Sequence, residues 1–119
     1  MELILAAARR WTSIFLAPTA AVLVVRAAAE GWSADMMRWG LVPSRWKDAS
    51  KFPGQTFNAR AETVATKPTF RSAFKRRRCI SPADGFFEWK TLGGKVKQPF
   101  YFHSREPGEV FAFAGLWEL

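Results

Sequence analysis

Asn58 and Arg60 stand two residues apart. In an extended segment their side chains leave the backbone on one face. Arg60 then offers a planar guanidinium that can grip a phosphate, with the Asn58 amide, both donor and acceptor, beside it. The plainer readings are a turn or cap asparagine and an Arg60 ion pair with Glu62 or Asp84. Glu88 lies between Phe87 and Trp89. A carboxyl group can donate and accept a proton, but strand alternation sends Phe87 and Trp89 to the opposite face. An ordinary exposed strand glutamate remains equally open. Trp39 and Trp46 flank Pro43, with Arg38, Arg45 and Lys47 close by. Aromatic rings beside cations suit base stacking along a single nucleic-acid strand. Trp39, read as a strand residue, fits the core better; Trp46, in a loop, fits a nucleic-acid contact or a wedge. Arg71 and the run Lys75, Arg76, Arg77, Arg78 form the densest basic cluster, which spreads around a helix as a solvated face that still attracts phosphates at low salt. Cys79 begins an apolar strand, where a free cysteine packs as a small hydrophobe. His103 alternates with Tyr101 and reads as structural or exposed.

The elements that must hold these groups are mostly strands. Residues 1–12 suit a short helix. Ala20 to Arg26, with the run Val22, Leu23, Val24, Val25, reads as a buried strand. A connection from Ala27 to Asp35 contains Gly31, and a second strand is expected from Met36 to Val42, stopped by Pro43. Residues 43–56 form a long loop, a feature that is often functional. A helix is expected near Pro68 to Arg77, with Thr66 or Thr69 as its cap. A strand from Cys79 is interrupted over Pro82 to Gly85 and resumes through Phe86 to Lys90. Gly93-Gly94 marks a hairpin. Phe100 to His103 and Val110 to Gly115 are expected to pair around Pro107-Gly108. The fold class is α+β: a β-dominated mixed or antiparallel sheet with one or two short helices.

Composition narrows the class. At 119 residues, one small domain is expected. With 49% apolar and 15% aromatic residues it is too hydrophobic to be disordered. The net charge of +8 makes phosphate backbones a natural partner, although charge alone leaves an unspecialised basic surface equally open. One cysteine forms no internal disulfide, and one cysteine with one histidine cannot build a usual zinc site. No cofactor and no metal are expected. No apolar run approaches the roughly 20 residues of a membrane span, and Arg9-Arg10 follow the apolar start in the wrong order for a secretory signal. A cytoplasmic, nucleoid-associated monomer is expected.

Four segments belong together: Arg38-Trp39-Gly40-Leu41-Val42-Pro43 with Trp46; Phe57-Asn58-Ala59-Arg60-Ala61-Glu62-Thr63; Arg78-Cys79-Ile80-Ser81-Pro82-Ala83-Asp84-Gly85-Phe86-Phe87-Glu88-Trp89-Lys90; and Pro99-Phe100-Tyr101-Phe102-His103 with Phe113-Ala114-Gly115-Leu116-Trp117-Glu118. Ala17-Pro18-Thr19 is a weaker fifth. In this order they resemble the SOS-response-associated peptidase (SRAP) family of abasic-site-processing proteins. The resemblance implies a β-rich, open-barrel α+β fold with a basic cleft for single-stranded DNA containing abasic sites. It also implies a reaction. The amine of an N-terminal cysteine condenses with the sugar aldehyde of an abasic site, and its thiol closes a thiazolidine, crosslinking protein to DNA. The same cysteine is linked to autoproteolysis and to self-release. Asn58 matches the family's asparagine, which holds the N-terminal residue and the opened sugar. Glu88 matches its active-site glutamate, and Arg60 would grip a phosphate beside the reacting sugar. Arg38, Trp39, Arg45 and Trp46 are the further DNA-binding candidates.

Two features of the pattern have no match. The family begins Met-Cys-Gly-Arg, whereas position 2 here is Glu2 and only 16 residues precede Ala17. The family's histidine lies downstream of the Gly-Leu-Trp-Glu segment, and this sequence closes at Leu119. The reading is therefore one partial domain over residues 1–119 that lacks the cysteine and histidine segments. Without the nucleophile the reaction path itself is gone, and an inactive chain is expected. A non-catalytic DNA-binding fragment and a non-functional remnant are the alternatives. The assignment expects Asn58, Arg60 and Glu88 to converge on one basic pocket.

Overall fold

The computed structural model describes residues 16–119; the helix expected over residues 1–12 lies outside the described residues. Strand β1, Ala21–Ala28, and β2, Gly31–Arg38, form an antiparallel hairpin in continuous register from Ala21↔Arg38 to Ala28↔Gly31. Val24 and Val25 are both buried, at 6% and 3% exposure. Consecutive strand residues point to opposite faces, so β1 is covered on both. That is the expected behaviour of a β-branched run in a central strand. The β2 expectation needs correction. The strand begins at Gly31, not Met36, and ends at Arg38, short of Val42. A two-residue turn at Ala29-Glu30 suffices, because Gly31 takes a positive φ of 110° at no steric cost. Gly40, at φ 127°, turns the chain before Pro43 is reached.

Residues 39–70 carry only one short 3-10 turn, Ala49–Lys51, before helix α1, Arg71–Arg76. No threonine caps α1. Its N-cap is Phe70, and the Thr66 hydroxyl donates instead to the Thr63 carbonyl. The turn that precedes the helix satisfies its first N–H, Arg71 donating to the Lys67 carbonyl, and the helical ladder begins with Phe74 donating to that of Phe70. Phe70 and Ala73 are buried on the inner side of this segment.

Strand β3, Arg78–Ala83, and β4, Gly85–Gly93, are separated by Asp84 alone, so the expected interruption over Pro82 to Gly85 shrinks to one bend. Strand β5 is Val96–His103 and β6 is Phe111–Leu116. The described strands form two antiparallel sheets, β2-β1-β3-β6 and β4-β5, and neither closes into a barrel. The sheet-dominated α+β class holds. The expected β5–β6 hairpin does not: β5 pairs with β4 from Gly85↔His103 to Gly93↔Val96, and β6 lies beside β3. The tight turn at Gly94-Lys95, one residue on from the expected Gly93-Gly94, brings β4 to β5 at once, whereas β6 is placed by contacts remote in sequence. The Trp117 N–H donates to the Arg77 carbonyl (3.0 Å), and Arg77 Nη2 meets Glu118 Oε1 at 2.6 Å. Arg26, paired with Asp35 at 2.7 Å, stacks over the Trp117 ring at 4.5 Å. Gly115 allows the close approach of β3, since a Cβ there would lie 2.9 Å from Cys79 Sγ.

The chain divides into two compact units. One runs to Ser81 and takes in Ala114–Leu119; the other is Pro82–Phe113.

Candidate nucleic-acid interface

In the first unit, the path from β2 to Asn58 is set by three contacts. The Leu41 N–H donates to the Thr56 carbonyl at 3.3 Å, and the Thr56 hydroxyl returns a bond to the Leu41 carbonyl. The Trp39 indole N–H donates to the Phe57 carbonyl at 2.8 Å. That carbonyl belongs to the peptide bond that Asn58 completes, so Trp39 fixes the backbone immediately before the amide. The Phe57 ring covers Gly40, where an added Cβ would lie 3.1 Å from two ring carbons. A side chain at position 40 would displace Phe57, and with it Asn58.

Asn58 and Arg60 are both exposed, and neither side chain has a hydrogen-bond or ion-pair partner. The expected alternative for Arg60, an ion pair with Glu62 or Asp84, is not formed. The Arg60 carbonyl instead accepts from Thr63 and Val64 at 3.2 and 2.9 Å, opening the first of the turns that lead to α1. An irregular stretch thus carries the amide and the guanidinium, and the turn then leads the chain away. Two polar groups held on ordered backbone, with their hydrogen-bonding capacity unspent, are available to a ligand.

Trp39 is half-buried and spends its N–H internally, as its core reading expected, although it lies just beyond β2 and not within it. Arg38 Nη1 donates to the Gly40 carbonyl at 3.2 Å, and Arg45 is exposed without a partner. Trp46 is 43% exposed. Its N–H closes a turn on the Pro43 carbonyl at 2.8 Å, and its ring meets Phe52 edge-on at 5.4 Å. The far side of this loop is tied by Asp48, which accepts from the backbone and hydroxyl of Ser50 and pairs with Lys51 at 3.2 Å. These bonds, the Ser50 hydroxyl first, hold the Asp48 carboxyl below its usual range.

Glu88 belongs to the second unit. Its cross-strand partner is Phe100, and alternation puts it on the face that carries Phe86 and Phe102. Phe86 stacks on Phe102 at 5.2 Å and meets Phe111 and Phe113 edge-on. On the other face Phe87, Tyr101 and His103 form a ladder of rings at 4.9 and 5.5 Å. Glu88 itself is exposed and without a hydrogen-bond or ion-pair partner. His103 is exposed and bound through Nδ1 to the Ser104 carbonyl, in keeping with a structural reading. Cys79 is buried, and burial raises the pKa of its thiol. A thiol held neutral is a poor nucleophile. Among the described residues no three His, Cys, Asp or Glu side chains form a metal-ligating group. No helix among them is long and apolar enough to cross a membrane.

Arg38, Trp39 and Asn58 are thus linked through Gly40 and Phe57, whereas Trp46 belongs to its own loop contact with Phe52. Sequence reasoning missed Phe57 and Thr56. The adjacent Thr56-Phe57 pair, preceding an otherwise polar segment, was the available signal.

The described strands thus define a sheet-dominated α+β protein in which an exposed amide and an exposed guanidinium, Asn58 and Arg60, lie near basic and aromatic residues in sequence. Comparison with known proteins makes this specific. Residues 6–119 match the family model for the SOS response associated peptidase (SRAP). The chain belongs to that family. It is 42% identical over 103 residues to the abasic site processing protein YobE of Bacillus subtilis, covering 87% of this chain and 46% of that protein. It is 44% identical over 70 residues to the abasic site processing protein HMCES of Gallus gallus, covering 56% of this chain and 20% of the relative. A crystal structure of a protein from Bacteroides thetaiotaomicron superposes with a TM-score of 0.67 at 30% identity, covering 83% of this chain and 43% of that one. The chain spans about half the length of the bacterial relatives it matches.

Proposed function

We propose that this chain recognises abasic sites in single-stranded DNA, within the DNA-damage response and at the nucleoid. Asn58 and Glu88 would face the opened sugar, and Arg60 the neighbouring phosphate. The observation that carries the reading is the Asn58–Arg60 strip. Trp39 orders it from behind, and both of its polar side chains are exposed and unpaired. The chemistry fits. An abasic deoxyribose in its open form carries an aldehyde and hydroxyls. An amide can donate to the aldehyde oxygen and accept from a hydroxyl at once. A guanidinium matches the two free oxygens of a phosphodiester. A carboxyl group supplies or removes a proton as the ring opens. Arg38, Arg45 and the exposed part of Trp46 extend the contact along the strand, and a net charge of +8 favours it. Trp39, with its N–H already used, serves chiefly as a positioning residue. The printed names of the relatives, abasic site processing proteins, support the same substrate.

The covalent step is a separate matter. Thiazolidine formation needs an α-amine and a thiol on one residue, and water leaves as the amine condenses with the aldehyde. Cys79, the single cysteine of the sequence, has its amine in a peptide bond and its thiol buried. We therefore infer that Cys79 is not a crosslinking residue. Binding to an abasic single strand and its undamaged counterpart at low salt, followed by denaturing electrophoresis, tests both parts. Preference for the abasic strand, lost in Arg60→Ala and Asn58→Ala, with no heat-stable adduct through Cys79, is expected. A heat-stable adduct that Cys79→Ala abolishes overturns the reading of Cys79, and equal or absent binding overturns the abasic one. Convergence of Glu88 with Asn58 is tested by a double-mutant cycle, Asn58→Ala with Glu88→Gln. Additive losses would place the two groups at separate contacts.

A further inference from the structure

Helix α1 places Arg71, Ser72, Lys75 and Arg76 around one concavity of about 250 Å³. The spacing explains the grouping. Arg71 lies over Lys75 and Ser72 over Arg76, each pair one helical turn apart, while Ala73 on the other side is buried. Local helix chemistry does not explain the charge. Lys75 and Arg76 in the last turn complement the helix dipole, but Arg71 in the first turn opposes it. The first turn holds no acidic residue, and Arg71 and Lys75 repel each other at i, i+4. None of the three cations has an ion-pair or hydrogen-bond partner, although elsewhere in the chain Arg26, Lys51 and Arg77 are all paired. Ser72 adds a fourth donor. Its hydroxyl oxygen accepts from Arg77 Nη2 at 3.2 Å, which leaves its own O–H proton to point elsewhere. Arg77 is in turn fixed by Glu118 at 2.6 Å, so this orientation is anchored to the sheet.

The concavity therefore presents donors from two guanidinium groups, an ammonium and a hydroxyl, and no acidic side chain. A tetrahedral oxyanion satisfies such a set, and a phosphodiester is the form that a nucleic-acid strand brings. We propose that Arg71, Ser72, Lys75 and Arg76 form a second phosphate-binding site, which holds the backbone of the bound DNA away from the damaged sugar. This rests on the DNA-binding reading above and adds to it a contact that is indifferent to the abasic lesion.

The test is equilibrium binding of the whole chain to abasic and undamaged single strands across a salt series. Arg71→Gln with Lys75→Gln is compared with Arg60→Ala, with thermal melting to confirm folding. Removing two phosphate contacts should lower the slope of log affinity against log salt by about 1.4. Affinity for both strands should fall about tenfold at low salt, and the ratio between them should stay as it was. Arg76→Gln alone, the gentler variant, should lower the slope by about half as much. An unchanged slope in a folded double variant overturns this site and leaves the abasic reading standing. Failure of the unaltered chain to bind either strand overturns both. Inorganic phosphate that perturbs the Lys75 resonance while the DNA slope is unmoved by the substitutions overturns it too, since the site would then take free phosphate only.

Discussion

Glu118→Gln tests how the edge of the four-stranded sheet is held. Glu118 Oε1 lies 2.6 Å from Arg77 Nη2, with side-chain exposures of 9% and 22%. The backbone already joins these residues, since the Trp117 N–H donates to the Arg77 carbonyl. Little additional chain entropy is spent in aligning the side chains, unlike an exposed pair on long free stems. Breaking a fully buried ion pair costs about 3–5 kcal/mol. Glutamine keeps one oxygen as acceptor and Arg77 retains some contact with water, so about 2 kcal/mol is expected here. Arg77 Nε is already buried without a partner, and besides Glu118 the guanidinium keeps only the 3.2 Å bond from Nη2 to the Ser72 hydroxyl. For a domain of this size about 2 kcal/mol corresponds to a fall of roughly 8 °C in Tm. Thermal unfolding by circular dichroism measures it, and a cycle with Arg77→Met isolates the pairwise part. A change in Tm under about 2 °C, or a cycle that adds up without coupling, would refute the claim that this pair anchors β6 beside β3.

Two further predictions follow from the first unit. The buried Cys79 thiol has a raised pKa, so the folded state holds its proton more tightly than the unfolded chain does. Stability is unaffected by this group at neutral pH and falls as the pH rises past the ordinary thiol value of 9.0. Urea midpoints at mildly and strongly alkaline pH should show an extra loss in the unaltered chain that Cys79→Ala lacks, and equal losses would contradict it. Trp39→Phe keeps the ring but removes the N–H that holds the Phe57 carbonyl. A loss of about 1 kcal/mol is expected, read as roughly fivefold weaker preference for the abasic strand with undamaged-strand binding little changed. Equal weakening on both strands would mean that Trp39 contacts DNA in general and does not position Asn58.

Much of this protein was legible in its residues. The run Val22 to Val25 announced a central strand, because β-branched side chains without polar alternation need cover on both faces. The Gly93-Gly94 hairpin followed from local turn chemistry. The family followed from motifs whose order and residue types survive without any geometry. Other features depended on partners far along the chain. The extent of β2 turned on Gly31 and Gly40 both taking up positive φ, which sets the strand between them, and the letters alone do not show this. A second hairpin, β5 with β6, was expected because Pro107-Gly108 signals a turn as well as Gly93-Gly94 does, and the strand pairing realises only the first of the two. The sequence by itself determined the strand content, the family and the residue types of the site. The tertiary structure alone decided that Trp39 holds the carbonyl before Asn58, that Arg60 keeps its charge unpaired, and that Arg77 spends its own on Glu118. The physical reason is that pattern and composition act within a few residues, whereas pairing a charge or satisfying a carbonyl requires groups that only folding brings within 3 Å or so.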